Sequence, residues 1–188
     1  MELSNMRLRV EKVNKSKRKR EIKEIYMSSF SKEDRMPFSL MLLMSYLWNT
    51  EFLAFYDDIL CGLVYMATIR KQSFIMFIAV KDNLHSKGYG SHMLEMVQSL
   101  YPSNKIIVSI EPCEGRVDDF VQRVKRKDFY LKNGYVETGY FIKLGGKKQE
   151  ILIKNGMFNK LHFLLFFMFY SGFTVIPKIW KKDNDMIQ

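Results

Sequence analysis

Phe77-Ile78-Ala79-Val80-Lys81-Asp82-Asn83-Leu84-His85-Ser86-Lys87-Gly88-Tyr89-Gly90 is the stretch whose reading decides the fold. FIAV reads as the end of a strand, followed by a short polar connector. A glycine pair then opens a helix, Gly88–Tyr101. Gly90, Met93, Leu94, Val97, Leu100 and Tyr101 recur at helical spacing, and Pro102 ends the run. Such a junction aims backbone N–H groups at an anion, because the first four N–H groups of a helix have no intrahelical partner. Gly88 and Gly90 lack a Cβ, so a phosphate can approach the main chain closely. Two rival phosphate motifs are absent: no third glycine stands at Met93, and no Gly-Lys-Ser/Thr occurs.

Upstream, Leu8–Val13 is predicted to form a strand. Arg18–Phe30 is predicted to form a helix with Ile22, Ile25, Tyr26 and Ser29 on one face. Pro37 suits the first position of a second helix through FSLMLLMSYLW. That helix is apolar nearly all round, so the pattern predicts cover on several sides or a place lining a pocket. The period then changes. Glu51–Tyr56, a turn at Asp57–Asp58, and Ile59–Ile69 read as a hairpin, with Ser73–Val80 as a third strand of an antiparallel meander.

Downstream, Lys105–Ile110 reads as a short buried strand. The order strand, helix, strand predicts a parallel crossover from Ser73–Val80. From about Val117 to Lys132 a helix is predicted, with Val117, Phe120, Val121, Val124 and Leu131 as its apolar stripe and Gly134 as its C′ stop. Tyr130 falls off that stripe, so it can face something other than the core. Tyr135–Leu144 and Gln149–Ile153 flank Gly145-Gly146-Lys147-Lys148 as a hairpin. The fold class is mixed α/β: an N-terminal antiparallel meander, a central crossover and a C-terminal hairpin. One domain is expected over 6–154, with an apolar extension over 155–188.

The 188 residues are 47% hydrophobic and 14% aromatic, enough for a real core. Lys and Arg number 30 against 20 Asp and Glu, a net charge of +10, which suggests an anionic partner without choosing one. Cys61 and Cys113 are too few for a disulfide framework or a cysteine zinc site and read as small core residues. The three histidines show no metal spacing, so no metal is expected. Asp57–Asp58 look like turn formers. The basic runs at Lys15–Arg20 and Arg123–Lys127 read most simply as solvated helix faces. No apolar leader is visible at the N-terminus, and a cytoplasmic location is expected.

Two motifs together carry a resemblance. His85-Ser86-Lys87-Gly88-Tyr89-Gly90 matches the pattern Arg/Gln-x-x-Gly-x-Gly/Ala at its glycines and its basic third position. Phe129-Tyr130-Leu131-Lys132-Asn133-Gly134-Tyr135 matches a Phe/Leu-Tyr-x-x-x-Gly-Phe/Tyr block. With the order of elements, the chain from about Leu8 to Lys154 resembles the GNAT superfamily of acyl-CoA N-acyltransferases. The resemblance implies an acetyl-CoA-dependent transfer of an acetyl group to a primary amine of a small molecule or peptide, by direct attack in a ternary complex. It implies that Phe77, Ile78, Ala79 and Val80 offer backbone to the pantetheine arm. His85, Ser86, Lys87, Gly88, Tyr89, Gly90 and Ser91 would surround the pyrophosphate. His85 stands where the family has Arg or Gln, so that side-chain contact is not carried over, whereas the backbone cradle is.

The same resemblance makes Tyr130 the candidate acid for the departing thiolate. Glu111, closing Lys105–Ile110, is the candidate base, a surface carboxylate being the plainer reading. Tyr46 and Trp48 are candidates for the acceptor side, since the first two helices of the family cover it. The alternative function is a non-catalytic basic module on the same fold that binds nucleic acid or a protein partner. Nucleic acid is not an expected partner, since no RNA-binding aromatic motif or helix-turn-helix glycine pattern is present. His162–Ile176 is very apolar but shorter than the roughly 20 residues that span a bilayer. It reads as a core or interface helix followed by a strand, and it could pair subunits as a homodimer. A membrane-surface anchor through 158–182 is the less favoured alternative.

Overall fold

The computed structural model describes residues 7–46, 49–114 and 119–182; Trp48 and Val117 lie outside them. Among the described residues are eight strands and five α-helices, a mixed α/β fold. The chain divides into two compact units, Met1–Thr68 with Phe74–Pro102, and Ile69–Ser73 with Ser103–Gln188.

The first unit holds β1 (Arg9–Lys12), α1 (Lys19–Ser29), α2 (Phe38–Met44), β2 (Thr50–Asp57), β3 (Ile59–Ile69), β4 (Gln72–Val80) and α3 (Tyr89–Leu100). Its strands lie in the order β1-β2-β3-β4, the expected meander. β1 and β2 run antiparallel with Arg9 opposite Tyr56, and β2 and β3 run antiparallel through the turn at Asp58, whose φ is +59°. Ile22, Ile25 and Tyr26 form the buried face of α1 as the periodicity predicts. They pack with Phe30, Phe38, Phe52, Tyr65 and Phe77 in an aromatic core. The Tyr26 hydroxyl is not idle there: it donates to the Met36 carbonyl at 3.1 Å and accepts from the Met36 N–H at 2.8 Å, fixing the turn into α2.

α2 is shorter than its apolar run suggests. It ends at Met44, where the Ser45 hydroxyl donates to the Leu42 carbonyl and the Asn14 amide donates to the Ser45 carbonyl. Only Met41 is buried, while Leu40 and Leu43 are exposed, so the helix is not covered on several sides. A side chain–backbone cap closed it before the apolar run was used up.

α3 sits where β3 and β4 approach closely. A Cβ built on Gly62 in β3 would lie 2.3 Å from the Ala79 carbonyl oxygen in β4 and 2.9 Å from the Met93 sulfur in α3. Only glycine fits. The buried face of α3 is Met93, Leu94 and Val97, while Leu100 at the end of the predicted stripe is exposed.

The second unit holds β5 (Lys105–Ile110), α4 (Phe120–Lys132), β6 (Val136–Leu144), β7 (Lys147–Lys154), α5 (Lys160–Tyr170) and β8 (Lys178–Lys181), its strands in the order β5-β7-β6-β8. β6 and β7 form the expected hairpin, but its connection is only Gly145 and Gly146, both at positive φ, because Lys147 and Lys148, expected in the turn, already belong to β7 and pair with Leu144 and Lys143. β8 pairs antiparallel with β6, and Phe163, Phe166 and Phe167 bury one face of α5. The apolar tail is therefore a helix followed by a strand, as its pattern suggests.

α4 reverses its expected orientation. Phe120, Val121 and Leu131 of the predicted stripe are exposed, and Tyr130 is the buried residue of the helix. The inward face is Arg123, Lys127 and Tyr130, at i, i+4 and i+7, with Arg126 at its exposed edge. Arg126 pairs with Glu111 at 2.8 Å, and Arg123 reaches both Asp119 at 2.8 Å and Glu111 at 3.7 Å. Lys127 meets Glu137 at 2.9 Å and both oxygens of Glu150 at 3.0 and 3.1 Å. The run Arg123–Lys127 is thus largely an anchor rather than a solvated face. Glu150 is almost wholly buried; burial pushes its carboxyl up, and Lys127 pulls it back. Glu137, more open, is held below the ordinary carboxylate range by its hydrogen bond to Lys127.

Two predictions follow from this packing. Gly62→Ala should lower stability by about 1–3 kcal/mol in urea unfolding, because the new methyl meets backbone oxygen rather than a yielding side chain. Lys127→Met should cost about 3–5 kcal/mol, since it leaves Glu150 buried without its cation, and adding Glu150→Leu should recover much of the loss. An unchanged midpoint in either single variant refutes the packing argument behind it.

Candidate functional site

The strand-to-helix joint after β4 is built from local rules. β4 ends at Val80, and the Lys81 N–H donates to the Cys61 carbonyl at 2.8 Å, holding the strand end on β3. A single 3-10 turn, Asp82–Leu84, buries Leu84 and lifts the chain off the strand. His85 then folds back, its Nε2 donating to the Val80 carbonyl oxygen at 2.8 Å. Ser86 and Gly88 both take positive φ, +59° and +89°, which turns the chain sharply into α3. Gly88 is the residue before the helix and sits in the left-handed region that favours glycine.

The result is an open helix start. The His92 N–H is the first to find its carbonyl, Gly88 O at 3.1 Å. The N–H groups of Tyr89, Gly90 and Ser91 precede it and have no partner within the helix. No side chain of the Gly88 cap bonds them. Lys87 is exposed beside them, with no ion pair among the described residues. The Tyr89 hydroxyl donates to Asp57 Oδ2 at 3.0 Å, tying the first turn of α3 to the β2–β3 turn. Asp57 therefore does more than shape a turn, and no local pattern in the sequence marks it. Three unpaired N–H groups, a helix dipole and a lysine suit a diphosphate.

The predicted site residues divide by element. Phe77, Ile78, Ala79 and Val80 are the last residues of β4. The Phe77 ring lies in the aromatic core against Tyr26 and Phe30, so only its backbone is on offer. His85 is spent on the strand end. Tyr46 lies just beyond α2, 66% exposed, its hydroxyl donating to the Asn14 carbonyl at 3.2 Å.

In the second unit, the helix stop that follows Tyr130 is complete. The Tyr135 N–H donates to the Tyr130 carbonyl at 3.1 Å, and the Gly134 N–H donates to the Leu131 carbonyl at 3.0 Å, with Gly134 at φ +81°. The two tyrosine rings meet at 5.3 Å. This is a Schellman cap with its hydrophobic contact, a physical reason for the whole FYLKNGY block. Tyr130 is 5% exposed, and burial pushes its phenol up to about 12. No hydrogen bond to its hydroxyl occurs among the described residues. Glu111 follows β5 and is clamped by Arg123 and Arg126.

Glu150 is the buried charge that the sequence reading passed over. A signal was present: in Glu150-Ile151-Leu152 strand alternation puts Glu150 on the face of Leu152, which is fully buried.

No family model matches the chain, and no curated protein matches it. Solved structures do. The chain is similar to a protein assigned to the GNAT acetyltransferases from Bacteroides thetaiotaomicron, with TM-score 0.72 and 14% identity over 90% of this chain and 99% of that one. It is similar to the PaiA N-acetyltransferase of Thermoplasma acidophilum in complex with coenzyme A, with TM-score 0.55 and 17% identity over 80% and 100%. It is also similar to the ribosomal-protein-S18-alanine N-acetyltransferase of Escherichia coli, with TM-score 0.59 and 7% identity over 81% and 96%. The chain has the fold of the GNAT acetyltransferases.

Proposed function

We propose that this chain is an acetyl-CoA-dependent N-acetyltransferase acting on a primary amine of a small molecule or peptide, by direct attack in a ternary complex. The observation that carries the reading is the open start of α3: a left-handed Gly88 followed by N–H groups without helical partners, at the end of a strand whose backbone was predicted to receive a pantetheine arm. The fold, shared with coenzyme A complexes, supports it.

In this reading the N–H groups of Tyr89, Gly90 and Ser91 hold the pyrophosphate, and Lys87 adds charge. When bound, acetyl-CoA supplies the activated acyl group. His85 serves the site indirectly, by holding the loop that ends in Gly88 against the end of β4. The acceptor side is assigned to the region around α2, with Tyr46 at its rim; Trp48 belongs to the same expectation.

Tyr130 is assigned to the departing sulfur. A phenol pushed up to about 12 stays protonated at neutral pH and is a weak acid beside an ordinary thiol near ~8.5. It therefore acts as a hydrogen-bond donor to developing charge on sulfur rather than by complete proton loss. Glu111 fits the base role poorly, because both of its carboxylate oxygens are already paired, one with Arg123 and the other with Arg126. Its clamp fixes the start of the segment that leads into α4. An amine that enters neutral, or loses its proton to water, needs no carboxylate.

Calorimetric titration with acetyl-CoA should show saturable binding, which a non-catalytic basic module would lack. Gly88→Val should weaken that binding roughly tenfold or more, through left-handed strain and a blocked approach, while the circular dichroism spectrum stays native. Binding equal to that of the unmodified chain removes the cradle. Tyr130→Phe should lower kcat about 10- to 100-fold with little change in KM for acetyl-CoA. Its pH–rate profile should show no lost inflection below pH 10, because the folded phenol titrates above the ordinary value. An unchanged kcat ends the donor role.

A further inference from the structure

α5 is apolar on two faces, and only one is used. Phe163, Phe166 and Phe167 are buried, and Phe163 meets Phe158 at 5.4 Å. On the other side Leu161, Leu165 and Phe169 recur at i, i+4 and i+8 and are exposed, Leu161 at 61% and Phe169 at 53%. A helix that only packs against its own domain carries polar residues on such a face.

The exposed stripe continues past the helix in an ordered way. The Phe173 N–H donates to the Met168 carbonyl at 2.7 Å, with Gly172 and Phe173 both at positive φ. This cap sets the Phe173 ring 5.7 Å from that of Phe169. Ile176, at 70% exposure, and Met157 lie exposed beyond the two ends of the row in sequence. Isolated exposed apolar residues are ordinary, but a contiguous row held by a helix and its cap marks a contact surface.

Charge says what covers it. From Ile151 to Lys182 the sequence has no Asp or Glu, while Lys160, Lys178, Lys181 and Lys182 stand around the apolar row in sequence, all exposed. Lys160, Lys178 and Lys181 make no ion pair among the described residues. A second copy of this segment would bring lysines together with no carboxylate of the segment's own to answer them. α5 has eleven residues, and no helix among the described residues is long and apolar enough to cross a membrane. An apolar row flanked in sequence by lysines and too short to span suits an interface of acyl chains under acidic headgroups. We propose that the outward face of α5 and the loop after it seat on an anionic lipid surface, with Leu161, Leu165, Phe169 and Phe173 entering the headgroup–acyl boundary. The sequence alone favours a core helix because it cannot show that the phenylalanines turn inward and leave the other row outside.

The test is flotation of the full chain with vesicles of phosphatidylcholine, alone or mixed with phosphatidylglycerol. The unmodified chain should float with the mixed vesicles and remain below the neutral ones, and added salt should weaken binding. Combined Leu161→Gln, Leu165→Gln and Phe169→Gln should cut partitioning roughly tenfold or more with thermal unfolding unchanged. If that variant unfolds, Phe169→Gln alone should give a several-fold loss. Lys160→Gln with Lys178→Gln and Lys181→Gln should abolish the preference for the acidic lipid. No flotation of the unmodified chain, equal flotation on both vesicle types, or equal flotation of the apolar variant would overturn the proposal. So would a dimer in sedimentation velocity that the apolar variant turns to monomer, since the occupant would then be a second copy.

Discussion

The missing Cβ of Gly62 is the constraint from which the first unit is arranged. β3, β4 and α3 meet there at a distance that no side chain permits, with the Ala79 carbonyl and the Met93 sulfur sharing the space. That contact sets the height of α3 over the strands. The Lys81–Cys61 hydrogen bond fixes where β4 stops, and the His85–Val80 hydrogen bond fixes how the chain leaves it. With the strand end and the helix body both held, the loop between them has little freedom. The direction of the N–H groups after Gly88 follows from packing several residues away, which is how a backbone site can be preorganised without a specialised side chain.

The second unit solves the docking of a helix differently. α4 buries one ring and otherwise presents cations inward to Glu111, Glu137 and Glu150. Exposed ion pairs contribute little, but Glu150 is buried, so this pair penalises any packing that separates it from Lys127. A greasy helix can slide or rotate on a sheet with modest loss. A helix whose half-buried Lys127 must meet two carboxylates on neighbouring strands, one of them buried, cannot. The Tyr130 ring is placed by that restriction together with the Schellman cap, so the same groups that give stability also set the phenol's position within its unit.

The strands were legible because their signals are local. Lys105–Ile110 appears with the bounds its composition suggests, and the hairpin turn at Gly145-Gly146 follows from two glycines between alternating runs. The glycine junction was legible too, since positive φ and an unpaired helix start are properties of a few consecutive residues. The orientation of α4 was not. Hydrophobic periodicity assumes that the apolar row faces in, and here ion pairs with residues distant in sequence outweigh it. The end of α2 was hidden for a similar reason: Asn14, far away in the chain, takes the Ser45 carbonyl. Glu150 could have been flagged from strand alternation, but its partner Lys127 could not be named without the fold.

His85 shows how a departure from a family pattern can be absorbed. An Arg or Gln at that position would bring a long donor toward an anion. An imidazole is shorter, and its Nε2 instead reaches the carbonyl that ends β4. The exchange gives up a side-chain donor to the ligand and gains a bond that stiffens the turn. Those effects oppose each other in binding: fewer direct contacts, but less ordering required when the anion arrives. The positive φ of both Ser86 and Gly88 is where the second effect acts, because a turn with two left-handed residues would otherwise sample other conformations. In the proposed binding mode the cradle then depends on its main chain, and the residue best able to disrupt it is the glycine rather than the histidine.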